Sequence, residues 1–412
     1  MSECFEVAVV GGGLSGACLA ALLTRHSGIS ASRIALLAPG LPHSLQAAAP
    51  GSGAAADLRV AAISRASEHV LSAAGAWQRV ERARLCAYEC MRVWHESAAI
   101  DGMAALRFDA ADIGEPNLGY VAEISALQRA CLESFIDAGG TMIDAALERL
   151  EIGAEAAHLE CTGAPLRARV VVGADGARSA VRVAAGVAAR SHDYRQLAIV
   201  ANVVTARPHE HTAWQRFLRT GPLALLPMFD GRCFIVWSLD LEAAAELRDC
   251  PAEQFNARLD AASALVLGAT QLNSERLSFP LYSMAAHSYV AARCALIGDA
   301  AHVIHPLAGQ GANLGLLDAA ALCEAIAAAS ATREDPGALR ILRRYEQQRR
   351  THNLMMDAAM SAFQSGFAAR APAAWLINRA LGLVNRSGTL KRAFARAALG
   401  TSGELPRLAR AG

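Results

Sequence analysis

A valine-rich run, Val7 to Val10, leads straight into Gly11-Gly12-Gly13-Leu14-Ser15-Gly16, and an apolar stretch at helical spacing follows from Ala17 to His26. A short apolar run of this kind suits a buried parallel strand. Ile34 to Leu37 reads as the next strand, so the first 37 residues form a βαβ unit of a dinucleotide fold. In such a unit Gly11 permits a tight turn, Gly13 lets the backbone approach a pyrophosphate, and Gly16 allows the helix to pack on the strand. Ser15 lies in the first helical turn, where free N–H groups and the positive end of the helix dipole face the phosphates. A carboxylate about 20 residues further on usually binds the adenosine ribose. Here that place is taken by Ala38, within Leu36-Leu37-Ala38-Pro39.

Two further glycine-rich stations follow. In Gly173-Ala174-Asp175-Gly176-Ala177-Arg178-Ser179, the strand Ala168 to Val172 delivers Asp175 to a tight turn, which suits a cofactor contact or an ordinary turn. The third station is the most specific. It runs from Gly298-Asp299-Ala300-Ala301-His302 through His305-Pro306-Leu307-Ala308-Gly309-Gln310-Gly311-Ala312-Asn313-Leu314-Gly315 to Asp318. Asp299 at a strand end can bind a sugar-like hydroxyl or reach toward phosphate. The stretch from Pro306 to Gly311 has few bulky side chains, so its backbone can lie against a flat ring. A helix starting near Ala312 would turn its N-terminal N–H groups toward negative charge on that ring.

The chain has 412 residues, 53% of them hydrophobic and 19% charged, which predicts ordered globular structure and more than one domain. A net charge of +1 gives no pull toward nucleic acid. Ten scattered cysteines, with no CxxC pair and no Cys/His cluster at metal spacing, predict reduced thiols and no metal site. Ser2 to Glu6 lacks the basic start of a secretory leader, and no run of about 18 uninterrupted apolar residues predicts a spanning helix. From Asp193 onward alternating segments such as Leu197 to Val204, Leu223 to Met228 and Cys233 to Leu239 predict antiparallel strands. Helices are expected after Ser64, over Ser125 to Ala138, over Ala319 to Ala329 and over Ala338 to Ala362. The predicted class is α/β: a Rossmann-type domain over 1–192, an inserted sheet domain over 193–284, a return segment over 285–330 and a helical C-terminal region over 331–412.

Three stations in this order resemble the flavoprotein aromatic hydroxylases, the group of para-hydroxybenzoate hydroxylase. The run from His305 to Gly315 is similar to the hallmark of the ubiquinone-biosynthesis hydroxylases within that group. The likeness extends through Asp57-Leu58-Arg59-Val60, Trp214-Gln215-Arg216-Phe217, Val236-Trp237-Ser238, Phe279-Pro280-Leu281, Leu342 to Glu346 and Gly382-Leu383. Within the family, bacterial 2-polyprenylphenol hydroxylase is the nearest in pattern. Ala38 departs from it, since the family usually carries Glu there.

The resemblance implies FAD, with Arg59 near the ring and Gln128 near the pyrophosphate or ribityl chain. From the residues alone, Arg59 could equally be a surface residue and Gln128 a solvated one. It also implies hydroxylation of a polyprenylated phenol through a flavin hydroperoxide, with O₂ and NAD(P)H or another donor as co-substrates. No second dinucleotide motif marks a nicotinamide site, and no GxSxG, HExxH or Cys/His nucleophile signature is present, which fits chemistry carried by a cofactor. His305 and Pro306 are the candidate catalytic positions, while His302 and His305 could also simply shape their loop. Leu225, Met228 and Trp237 are candidate walls of a tunnel for the hydrocarbon tail, although ordinary core packing is the first reading for each. A cytoplasmic protein is expected; the basic stretch from Ala373 to Leu399 could touch the inner membrane or other ubiquinone-biosynthesis proteins, or equally be a plain solvated helix. An FAD-dependent dehydrogenase or reductase of an isoprenoid, and an inactive flavin-binding scaffold, are the competing functions.

Overall fold

The computed structural model describes residues 4–40, 58–102, 105–304, 310–367 and 404–410. Strands Cys4–Val10, Ile34–Leu37 and Thr141–Ile143 lie parallel, and Leu166–Gly173 and Cys294–Leu296 extend the parallel set on the other side of Cys4–Val10. Strands of such a sheet are covered on both faces, so they carry continuous apolar runs; Val7, Val9, Ile34, Leu36, Val170 and Val172 are all fully buried. The helix Leu14–His26 packs against Ile124–Asp137 on one side and Gln310–Ala331 on the other. Its apolar residues are mostly alanine and leucine, and the small side chains bring these helices close.

A second sheet of nine strands is built mainly from Ala189–Thr205, Thr212–Leu218, Gly221–Pro227, Cys233–Asp240 and Leu277–Ala286. It also takes Cys90–His95 and Leu106–Asp109 from earlier in the chain and His302–Val303 from later, outside the span 193–284 expected for it. One face packs under the helices Leu241–Asp249 and Ala252–Ser263, where Leu223, Leu225, Ile235, Trp237, Phe255 and Leu259 form a core. The other face looks toward the first sheet. A small sheet of Val60–Ser64, Gly119–Glu123 and Cys86–Tyr88 lies between the two.

The helices expected after Ser64, over Ser125 to Ala138 and over Ala338 to Ala362 form with bounds shifted by up to five residues, and the one expected over Ala319 to Ala329 starts nine residues earlier, at Gln310. Ser64 caps Arg65–Ala73 by accepting from the Ser67 N–H, and the long C-terminal helix spans Leu339–Phe367. The helix Gln310–Ala331 has the length and composition of a membrane span but is mostly buried inside the fold, where it packs on three other helices. The segment from Ala373 to Leu399 lies outside the described residues.

Buried Asn313 ties this central helix to the small sheet. Its Oδ1 accepts from the Ser64 N–H at 2.9 Å, and its Nδ2 donates to the Ala62 carbonyl at 2.8 Å. Asn313→Ala would strand both backbone groups, at about 1–3 kcal/mol for each buried group left unpaired. A lower midpoint in chemical denaturation with an unchanged slope is expected; an unchanged midpoint would refute this role.

Candidate active site

The glycine turn is built by close approach. Gly11 sits at φ +109°, and a side chain on it would lie 2.3 Å from the Ala174 carbonyl oxygen; on Gly16 it would lie 2.0 Å from the Gly11 carbonyl oxygen. Gly13 faces open space, with nothing within 4 Å of where its side chain would be. The helix Leu14–His26 begins there with no side-chain cap and no acid in its first turn, so its N–H groups point outward unopposed. Gln128 Nε2 donates to the Gly12 carbonyl at 2.7 Å and holds the turn. The Ser15 Oγ fills the gap left by two more glycines: side chains on Gly298 and Gly315 would lie 2.8 and 2.2 Å from it. First and third stations are thus locked together through Ser15.

A cavity of about 530 Å³ opens between the large sheet and this framework. That volume falls in the range of small-molecule sites, about 300–1,000 Å³. One side carries Arg59, Asp299, Gly311 and Ala312; the other is an apolar sheet face of Ala198, Val200, Ala224, Leu226, Phe234 and Val236. Strand register puts Gln215, Ala224, Val236 and Val200 in one row across four strands. Gln215, Ser238 and Tyr282 are the polar side chains among the sheet residues of the lining. Protein around Asp299 raises its carboxyl pKa by desolvation, with His302 acting in the opposite sense.

Behind Asp299 lies a buried polar hub. Asp318 Oδ2 meets His302 Nε2 at 2.5 Å and accepts from the Gly298 N–H at 3.2 Å. Its Oδ1 accepts from Arg349 Nε at 2.8 Å and from Asn353 Nδ2 at 3.1 Å. Asp318 and Arg349 are wholly buried. Burial alone would raise the Asp318 carboxyl pKa, but the charges and hydrogen bonds of His302 and Arg349 outweigh it and hold the group below the usual carboxylate range.

The FAD binding domain family model matches residues 152–358. Across 96% of its length the chain is 34% identical to 3-demethoxyubiquinol 3-hydroxylase of Escherichia coli, covering 98% of that protein. The chain belongs to the ubiquinone-biosynthesis family of FAD-dependent hydroxylases. Another member, ubiquinone hydroxylase UbiL of Rhodospirillum rubrum, is 36% identical over 98% of this chain and 92% of its own. Two solved structures share the fold. These are p-nitrophenol 4-monooxygenase PnpA from Pseudomonas putida (TM-score 0.75, 18% identity, 97% and 98% coverage) and PqsL from Pseudomonas aeruginosa with 2-aminobenzoylacetate (TM-score 0.74, 23% identity, 93% and 100% coverage). This hydroxylase is therefore an FAD-dependent aromatic monooxygenase.

Its residues fit the cofactor: the turn has the clearance of a pyrophosphate cradle at Gly13, and Gly311, likewise with nothing within 4 Å, opens onto the cavity at the start of a helix with no acid in its first turn. Asp175 spends Oδ2 on the N–H groups of Ala180 and Val181, at 2.7 and 3.2 Å, while its buried Oδ1 has no protein partner. The Asn313 side chain is committed to Ser64 and Ala62, so only its backbone could face a ligand. His305, Pro306 and Gly309 lie outside the described residues.

The candidate tunnel walls fall elsewhere. Leu225 and Trp237 point to the opposite face, into the core under the helices, and Met228 is buried in a separate cluster with Tyr88 and Phe108. Alternation along a strand explains Leu225 and Trp237, since the cavity takes their neighbours Ala224, Leu226, Val236 and Ser238, whereas Met228 lies just past the strand end in a cluster that also holds the cavity residues Leu226 and Phe234. Sequence reasoning also missed Gln215, Tyr282 and Arg349. A polar residue set in each of two otherwise apolar strand faces, Gln215 and Ser238, was the available signal for the cavity side.

Asp318→Asn would leave the buried Arg349 charge without its partner, a loss of about 3–5 kcal/mol at neutral pH. Because folding lowers the Asp318 pKa, its contribution is present above the unfolded value near 4 and is lost as pH falls below it. Denaturation of both proteins across pH 3 to 7 should show the gap between them narrowing on the acid side. A gap independent of pH would contradict the hub.

Proposed function

We propose that this enzyme hydroxylates the aromatic ring of a polyprenylphenol intermediate of ubiquinone biosynthesis, using O₂ and NAD(P)H or another electron donor. The observation that carries the reading is the shared cavity, which sets an apolar sheet face opposite Asp299, Gly311 and Ala312. A phenol with a long hydrocarbon tail needs that division: apolar wall for the tail, a few polar groups for the ring hydroxyl. The names of the relatives, a demethoxyubiquinol hydroxylase and a ubiquinone hydroxylase, favour the same substrate class.

FAD would be held at the pyrophosphate by the backbone of Gly11, Gly13, Ser15 and Gly16, with Gln128 fixing the turn and Asp175 and Asp299 as polar contacts. Pro306, Gly309, Gln310, Gly311, Ala312 and Asn313 would lie along its ring through their backbone, and Arg59 would lie at the ring's edge. When bound, FAD supplies the activation of oxygen. The protein's own share is exclusion and placement. The apolar wall would keep water from the reacting carbon, and Gln215, Ser238 and Tyr282, which line the cavity, would orient the ring hydroxyl. His305 and Pro306 remain the candidates for contact with the reacting atoms.

Two measurements test this. Purified enzyme given NAD(P)H, a short-chain prenylphenol and ¹⁸O₂ should yield a product carrying one labelled hydroxyl. Consumption of NAD(P)H without labelled product would refute the substrate class. In Ala224→Phe the ring would project from the apolar wall into the cavity; flavin content should be retained while hydroxylation falls at least about tenfold. Full activity in that variant would place the substrate elsewhere.

A further inference from the structure

The strand Ile34–Leu37 is followed by Ala38, where a dinucleotide fold usually carries the carboxylate that holds the adenosine ribose. Its parallel neighbour Thr141–Ile143 ends on Asp144. The strands pair Ala35 with Thr141, Leu36 with Met142 and Leu37 with Ile143. Beyond that pairing the Ala38 N–H still donates to the Ile143 carbonyl at 3.1 Å. One step further along both strands, Ala38 and Asp144 come level at the carboxyl edge of the sheet, the edge at which such folds bind dinucleotides.

Three contacts gather there. Gly11 donates its N–H to the Leu37 carbonyl at 2.8 Å, so the pyrophosphate turn abuts the end of the same strand. Asp144 Oδ1 accepts from the Gly40 N–H at 2.7 Å, which draws the carboxylate across the chain just past Ala38. Asp144 is exposed, whereas Ala38 is buried and has no polar atom beyond its backbone. A carboxylate has acceptor sites for about four hydrogen bonds, and the Gly40 N–H takes one of them.

We propose that Asp144 replaces the missing acid at position 38 and accepts hydrogen bonds from the ribose hydroxyls of the adenosine half of FAD. The carboxylate stands one strand outward and more than a hundred residues later in the chain, but it reaches the same edge. This rests on FAD being the cofactor. A carboxylate that only closed the Gly40 turn would affect folding but would not distinguish ribose from a sugar lacking its hydroxyls.

The test uses flavin-stripped full-length protein. FAD rebinding is followed by flavin fluorescence, with ADP and 2′,3′-dideoxy-ADP as competitors. Wild type should be displaced about tenfold better by ADP, as expected for hydrogen bonds to a charged acceptor. In Asp144→Asn that preference should largely vanish and FAD should bind about tenfold more weakly. Equal competition by the two nucleotides in wild type, or an undiminished preference in Asp144→Asn, would overturn the proposal. Should the variant fail to fold, the wild-type comparison decides alone. Failure of the wild-type protein to rebind FAD at all would count against the cofactor itself, and would be seen before any variant is made.

Discussion

A carboxylate with no access to water organises the catalytic half of this molecule. Asp318 projects from the central helix Gln310–Ala331 and is paired at once with the turn at Gly298, with His302 and with Arg349 on the C-terminal helix. Removing a carboxylate from water is costly unless every acceptor is matched, and here four donors match it. The consequence is geometric: the strand end bearing Asp299, the short strand His302–Val303 and the start of the central helix are held in one arrangement. Those three pieces line one side of the cavity.

The opposite side is set by strand parity. Because side chains alternate, the large sheet can bury Leu223, Leu225, Ile235 and Trp237 beneath its helices while offering Ala224, Leu226, Val236 and Ser238 to the cavity. Ala198, Ala224 and Ser238 leave room on the open side beside Leu226 and Phe234, while Ile235 and Trp237 fill the closed side. Strands Cys90–His95 and Leu106–Asp109 from the first part of the chain and His302–Val303 from the third station join this sheet, so the glycine-rich framework and the apolar wall are physically continuous.

Much of this could be read from sequence, and the limits have physical reasons. The βαβ opening was legible because Gly11 and Gly16 admit no side chain, a requirement visible as glycine itself. In the third station the legible part was again glycine: Gly298 and Gly315 leave room only for the Ser15 hydroxyl. Strand facing was not legible: Leu223 to Met228 is apolar on both sides, so polarity does not show which residues face the cavity, and for Leu225 and Trp237 the sequence left tunnel wall and core packing open, of which the structure bears out core. Partners distant in sequence were also hidden. Arg349 is one arginine among several on its helix, and nothing local marks it as the buried partner of a carboxylate 31 positions away. Asp144 stands in a short loop more than a hundred residues from Ala38, and only the pairing of two strands brings them level.

The central claim is that cofactor ring and substrate share one cavity across the start of the helix Gln310–Ala331. A crystal structure of the enzyme with FAD and a non-reactive prenylphenol analogue tests it most directly. The account predicts the isoalloxazine ring beside Gly311 and Ala312, with the phenol between it and the sheet face of Ala224 and Val236. A ring bound away from that helix start, or an analogue lodged outside the cavity while the cavity stays closed, would contradict it.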